Sequence, residues 1–369
     1  MNPSLTNISE EDNNILKFTL SGLNVSLANA VRRTILSDIP IVGFYTETHE
    51  NNDCKIEVNT GRLHNEILKH RLSCIPVHSS DLSILPGNYI LEVDVKNESE
   101  NLMFVTTEDF KIKNKTNDNY LTSEETKKIF PANDKTGMYI DFARLRPKIS
   151  QQLPGEHIKL TSEFTIHTAK ENSVYNVVSK CSYSNTPDMT KANAAWEEQE
   201  DKMRSEEMNQ DEIVFQKKNF YLLDAQRHFV DDSFDFVIQS LGIYENKEVV
   251  MKACLILQNK FADMIQNLDS DTVPIVMSET TMDNCYDIVL ENEDYTIGKS
   301  LEYLLYSQYY EKDKILSFCG FKKFHPHDDN SKIRLAFKDS VDKKMVNMYL
   351  RKCCVDASDI FKKIYDAFK

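Results

Sequence analysis

The feature that most narrows what this chain can fold into is an ungapped internal echo at an offset of 270 residues. Phe18, Thr19 and Leu20 face Ile288, Val289 and Leu290. Farther on, Ser26 faces Thr296, Leu27 faces Ile297, Ala28 faces Gly298, Val31 faces Leu301 and Ile35 faces Leu305. Each copy reads as a strand, a polar loop, a hydroxyl N-cap and an amphipathic helix. In the first copy residues 15–20 form the strand, Gly22 and Asn24 the turn, and Ser26 the cap of a helix over 27–38 that Pro40 ends. Leu27, Val31 and Ile35 recur every fourth residue and make its apolar face. Neither copy can cover such a face alone. The two αβ units are therefore expected to pair about a pseudo-twofold axis, at an effective concentration raised by their covalent linkage.

Two longer helical patterns follow the copies. Val250, Cys254, Leu257, Phe261, Met264 and Leu268 alternate spacings of four and three, as do Val346, Leu350, Cys353, Ala357, Ile360, Ile364 and Ala367. Each is a seam suited to another helix. Between the copies, KIEVN (55–59), NYILEVDV (88–95) and KLTSEFTIH (159–167) alternate apolar and polar residues and read as strands. Leu85-Pro86-Gly87 and Leu153-Pro154-Gly155 supply turns. Residues 191–212, charged and poor in apolar groups, read as a solvated helix or linker.

The helices of the two copies differ on their polar faces. Asn29, Arg32 and Arg33 in the first correspond to Lys299, Glu302 and Tyr303 in the second. Only the first presents a paired arginine edge suited to carboxylates or backbone carbonyls of a partner. Leu36 lies among those polar residues and would be an exposed apolar side chain without one. A net charge of -14 argues against free nucleic-acid binding and points to proteins as the main partners.

These residues resemble a known family. The run LSGLNVSLANAVRRTILSDIP (20–40) is similar to the signature of the alpha-type assembly proteins of RNA polymerase: the bacterial alpha amino-terminal domain, the archaeal D-like protein and the third subunit of polymerase II. Asn29, Ala30, Arg32 and Arg33 match its Asn-Ala-x-Arg-Arg. A second element of the family is matched by Glu66, His70, Arg71, Leu72 and Pro76 in NEILKHRLSCIP (65–76). The carboxyl-terminal part resembles the smaller partner, the archaeal L-like protein and the eleventh subunit of polymerase II. Glu293, Asp294, Thr296 and Gly298 match one motif, and Gly320, His325 and Pro326 part of another, with Phe321 where Tyr is usual.

The resemblance implies an α+β chain with the alpha-type dimerisation fold: two related αβ units paired by long helices, plus a mainly β insertion domain. Residues 1–48 and 214–272 would form a discontinuous D-like domain, 49–213 the insertion, with its charged segment at 191–212, and 273–369 the L-like domain. It implies a non-catalytic assembly subunit of a DNA-directed RNA polymerase, with the two halves of the dimer fused, a layout similar to that in some large DNA viruses. Partners would be the large catalytic subunits, chiefly the second largest, and small polymerase subunits, with DNA reached only through the complex. Asn29, Arg32, Arg33, Leu36, Glu66, His70 and Arg71 are the expected assembly interface. Leu27, Val31, Ile35, Leu257, Phe261, Ile297, Leu301, Leu305, Ile360 and Ile364 are the expected intramolecular dimerisation contacts.

Several family members bind zinc or an iron–sulfur cluster in the insertion. Here only Cys54, Cys74 and Cys181 fall in it, widely spaced, so no metal and no cofactor is expected. The eight cysteines include no CxxC pair and are expected as free thiols in a reducing compartment. The polar, acidic start lacks a signal-peptide core, and no apolar run is long enough to span a bilayer, so the expectation is a soluble protein with no membrane contact, cytoplasmic or in the virion if viral, otherwise in nucleus or cytoplasm with the polymerase. With nine glycines and no GxGxxG, GxxxxGK[ST] or HExxH, no nucleotide cradle or zinc-protease helix is legible. Asp231, Asp232 and Asp235 could hold Mg²⁺ in a metal-dependent hydrolase, yet Phe234, Phe236 and Ile238 alternate with them as in a half-buried strand. Cys319, His325 and His327 lack a fourth zinc ligand. The remaining alternative is an adaptor outside transcription.

Overall fold

The computed structural model describes residues 1–12, 14–48, 50, 52–150, 152 and 154–369, so the first residue of the turn expected at Leu153 lies outside the described residues. The chain opens with β1 (Ser4–Glu11), β2 (Ile15–Ser21) and α1 (Val25–Ser37). It continues through β3 (Ile41–Gly43), β4 (Cys54–Asn59), α2 (Asn65–Ser73), β5 (Tyr89–Lys96), β6 (Met103–Thr106), β7 (Lys111–Asn114), α3 (Ser123–Ile129), β8 (Asp141–Leu145), β9 (His157–Glu163) and β10 (Thr165–His167). Then come β11 (Val178–Pro187), α4 (Met189–Ser205), α5 (Gln210–Leu222), β12 (Phe229–Ser240) and α6 (Asn246–Asp269). The last third holds β13 (Ile275–Met277), β14 (Cys285–Leu290), α7 (Tyr295–Leu305), β15 (Leu316–Lys322), β16 (Ser331–Phe337) and α8 (Lys343–Ala367).

Two compact units result: residues 1–35, 180–239 and 246–369 in the first, 36–179 and 240–245 in the second. These divisions differ from the expected 48/49 and 213/214, for two reasons of strand pairing. β3 pairs with β10, which draws the chain from residue 36 into the second unit, and β11 lies beside β12, which returns it to the first by residue 180.

In the first unit two four-stranded sheets have the same plan. One runs β1-β2-β12-β11 and the other β13-β14-β16-β15. In each, a helix follows the second strand (α1, α7) and a long helix follows the last (α6, α8). Adding 270 to the bounds of β2 and α1 lands on β14 and α7 to within two residues, so the sequence echo is an echo of structure. The helix caps are not the expected hydroxyls. Asn24 and Asp294, themselves 270 residues apart, accept the N–H of Ser26 and Thr296, each at 2.9 Å. An amide or carboxylate oxygen reaches back to the second helical N–H, so the cap lies two residues ahead of the hydroxyl.

The cores of this unit are apolar and aromatic. Phe18 stacks on Phe236 with ring centroids 5.1 Å apart and meets the edge of Phe368 at 5.0 Å. Asp235, on the same strand as Phe234, Phe236 and Ile238, accepts the hydroxyls of Thr19 at 2.7 Å and Thr186 at 3.0 Å. Residues 191–212 are not a bare linker. Helices α4 and α5 fold on each other around Trp196, with Ala192, Met203, Ile213 and Phe220 beside it. One tryptophan with helically spaced small and apolar neighbours is enough to nucleate this satellite core despite the surrounding charge.

The second unit is mainly β. Its largest sheet runs β4-β9-β5-β7, all antiparallel, with the small pairs β3–β10 and β6–β8. The single strand expected over 159–167 is split: Phe164, between β9 and β10, turns into the core with Phe44, Leu91, Leu160 and Phe142.

Candidate pairing and docking interface

The ten residues expected to join the halves are all buried. Helix α6 packs along α8. Phe261 and Phe361 stack with centroids 6.0 Å apart. Asn347, in the first turns of α8, donates its side-chain N–H to the Leu268 carbonyl at 2.8 Å, and Arg351 holds Asp269 at 2.7 Å. Cys354 and Phe361 are buried in this seam and were not legible from its 4–3 spacing, which selects a narrower stripe than a 25-residue helix between a sheet and another helix presents. Ala367, counted in that spacing, is exposed.

The arginine pair separates into two roles. Arg33, expected on the docking edge, turns instead to the second half of its own chain. Its Nε donates to Thr296 Oγ1 at 2.9 Å and its second guanidinium nitrogen to Asp294 Oδ2 at 2.5 Å. Its guanidinium also lies 6.0 Å from the Tyr295 ring centroid. Asp294 is thus both cap of α7 and acceptor for Arg33. Burial pushes its carboxyl pKa up, but the Thr296 N–H and the Arg33 guanidinium more than offset that and leave it below the usual aspartate range. Both side chains are 32% exposed, so solvent screens the pair and its worth is about 1 kcal/mol. Arg32 is half-buried, and its Nε donates to Asn29 Oδ1 of its own helix at 2.9 Å. Leu36, expected to be exposed, is half-buried.

The matching helix is self-contained. Glu302 accepts Lys299 Nζ at 2.5 Å and the Phe321 N–H at 2.9 Å, so the carboxylate standing where the first half has Arg32 is tied to its own sheet. Gly298 lies flat against the Phe321 ring: a Cβ there would sit 1.9 Å from Cε2. His325 donates its backbone N–H to Asp328 at 3.0 Å and its ring stacks on His327.

In the second unit α2 is held by Leu68 and Leu72, buried one turn apart. Arg71 was expected to face a partner. It is exposed and donates to the backbone carbonyls of Phe142 at 2.7 Å and Asp141 at 2.5 Å, fastening α2 to β8. Glu66 and His70 remain exposed and line an open cavity of about 330 Å³ with Thr46, Glu47, Ile67 and Tyr175.

Among the described residues no group of three or more His, Cys, Asp or Glu side chains is placed to hold a metal ion, and no helix is long and apolar enough to cross a membrane. Asp287 is held below the ordinary aspartate range by the Arg334 guanidinium, which reaches it through two bonds of 2.6 and 2.8 Å. A carboxyl lowered in the folded state stabilises that state above its unfolded pKa of about 3.9, and the benefit is lost as the pH falls through the folded value. The urea midpoint is therefore expected to drop from pH 5 to pH 3, and to drop less in Asp287→Asn; equal pH profiles would remove Asp287 from the account.

The RNA polymerase Rpb3/Rpb11 dimerisation domain matches residues 17–261. DNA-directed RNA polymerase subunit Rpo3 of Pyrococcus furiosus is 39% identical over 70 residues, which are 19% of this chain and 24% of that protein. DNA-directed RNA polymerase II subunit RPB3 of Schizosaccharomyces pombe is 23% identical over 286 residues, 73% of this chain and 87% of that one. The human DNA-directed RNA polymerases I and III subunit RPAC1 is 35% identical over 68 residues, 18% of each. The matched segment spans about a quarter of the length of the archaeal relatives.

Proposed function

This chain belongs to the RNA polymerase Rpb3/Rpb11 dimerisation-domain family, and from that premise we propose that it is a non-catalytic assembly platform of a multisubunit DNA-directed RNA polymerase, with both members of the alpha-like pair in one polypeptide. The observation that carries the reading is the repeated plan of the first unit: two sheets of identical strand order, each with its short and long helix, joined through α6 and α8. Residues 1–35, 180–239 and 246–272 are the D-like half and 273–369 the L-like half, related by a pseudo-twofold axis, with the β-rich segment as an insertion. The family match ends at residue 261, so the L-like assignment rests on the repeated topology and on the Glu293–Gly298 motif.

Function then resides in surfaces. Asn29, Arg32 and Leu36 on α1, and separately Glu66 and His70 on α2, are the residues we assign to docking the large subunits, chiefly the second largest. Arg33 and Arg71 also bond within the chain, Arg33 to Asp294 and Arg71 to the Phe142 and Asp141 carbonyls. Small polymerase subunits complete the assembly, DNA is met only through it, and the chain works in the nucleus or cytoplasm with the polymerase, or in the virion if its source is a large DNA virus. Nothing observed favours the hydrolase reading: Asp235 is occupied by two threonine hydroxyls.

Arg32→Ala is expected to leave the isolated chain as stable as wild type, because Arg32 bonds locally to Asn29 in its own helix, and to reduce recovery of the large subunits on affinity purification. Arg33→Ala is expected to lower stability as well. Full recovery of the complex with Arg32→Ala would exclude the α1 edge as the docking site, and recovery of this chain in a complex without polymerase subunits would favour an adaptor.

A further inference from the structure

We propose that Arg33 makes the two repeated halves complementary to each other and not to themselves, so that the first half accepts the second as its partner and disfavours another copy of itself. The inference rests on the pseudo-twofold pairing proposed above.

The argument comes from what the 270-residue offset does to the clamp. Arg33 reaches Asp294 and Thr296. Its own counterpart is Tyr303, and the counterparts of Asp294 and Thr296 are Asn24 and Ser26. A twofold axis therefore converts the contact Arg33–Asp294 into Tyr303–Asn24. At these two mirror positions the pairing of unlike halves holds one guanidinium–carboxylate clamp, in addition to the Arg351–Asp269 pair between α8 and α6. Two first halves would set each Arg33 against Asn24, a neutral amide whose Oδ1 is already engaged by the Ser26 N–H at 2.9 Å. Two second halves would set each Asp294 against Tyr303, leaving a carboxylate that burial disfavours without its guanidinium. The hydroxyls of Thr296 and Ser26 are equivalent acceptors, so the discrimination lies in Asp against Asn and Arg against Tyr. Charge-assisted bonds are about twice as strong as neutral ones, and specificity is the difference between competing pairings.

The test moves the clamp rather than deleting it, in the full chain. Asn24→Asp with Asp294→Asn transfers the carboxylate to the mirror cap, keeping net charge and both caps. It is expected to lower the folding equilibrium constant in urea about fivefold, after allowance for screening. It is also expected to raise the fraction of dimer recovered after refolding at high protein concentration, read by light scattering, because the first half now carries both partners of the clamp. Adding Arg33→Tyr and Tyr303→Arg moves the guanidinium too and is expected to restore stability and monomer. If moving the carboxylate changes neither readout, the proposal is overturned and the pairing of the halves stands. If the carboxylate transfer costs stability but the completed exchange recovers none of it, the twofold relation itself fails. Should the fourfold variant not fold, a cycle of Arg33→Ala, Asp294→Ala and both decides: effects that simply multiply, with no coupling, overturn the clamp.

Discussion

Phe261→Ala is expected to cost about 3–5 kcal/mol of unfolding free energy, seen as a lower urea midpoint at unchanged slope. The ring is fully buried on α6 and stacks on Phe361 of α8 at the seam between the repeated halves. Truncation removes its transfer free energy and leaves a cavity that two long helices, each also fixed to its own sheet, cannot close. Phe361→Ala is expected to cost a similar amount. The two together should cost less than their sum, because each already empties the contact the other would lose. A loss below about 1 kcal/mol for Phe261→Ala would show that α6 and α8 do not form a shared core.

Gly298→Ala is expected to destabilise by about 1–3 kcal/mol, although alanine is the better helix former. The new Cβ would fall 1.9 Å from Phe321 Cε2. The ring cannot simply swing aside. Its neighbour Tyr295 lies edge-on at 5.4 Å, and the Phe321 N–H is held by Glu302 at 2.9 Å. Either β15 shifts away from α7 or the start of α7 lifts, which would carry Asp294 away from Arg33. A double variant with Phe321→Leu, whose side chain is narrower, is expected to recover part of the loss. Unchanged stability of Gly298→Ala would mean that β15 yields freely.

What the sequence disclosed follows the strength of its periodic signals. The strand–helix echo and the two seams were readable because apolar residues recur at fixed intervals, and each of the ten residues picked from them is buried. Local chemistry was read less well. Ser26 reads as the cap because a hydroxyl precedes the first apolar repeat, and Asn24 reads only as a turn residue, yet a cap is chosen by which oxygen reaches an unpaired N–H. At 191–212 the reading as a solvated helix or linker holds for a segment that is largely helical and exposed, but charge conceals the inward face that Trp196 gives it. The arginines show the limit most clearly. Adjacent Arg32 and Arg33 look alike in sequence, but about 100° of helical rotation separates a side chain that stays on its own helix from one that crosses to Asp294. Only the position of the second half decides between them. Arg71 shows a similar limit: it is exposed, and its acceptors are backbone carbonyls about seventy residues away that no side-chain pattern reports.

The segment between α6 and β13 is five residues, 270–274. So short a tether makes the meeting of the repeated motifs a first-order event, with a rate indifferent to dilution, and it locks their ratio at one to one from the moment of synthesis. A cell making this polypeptide cannot accumulate one motif without its mate, and needs no surplus of either to drive their union.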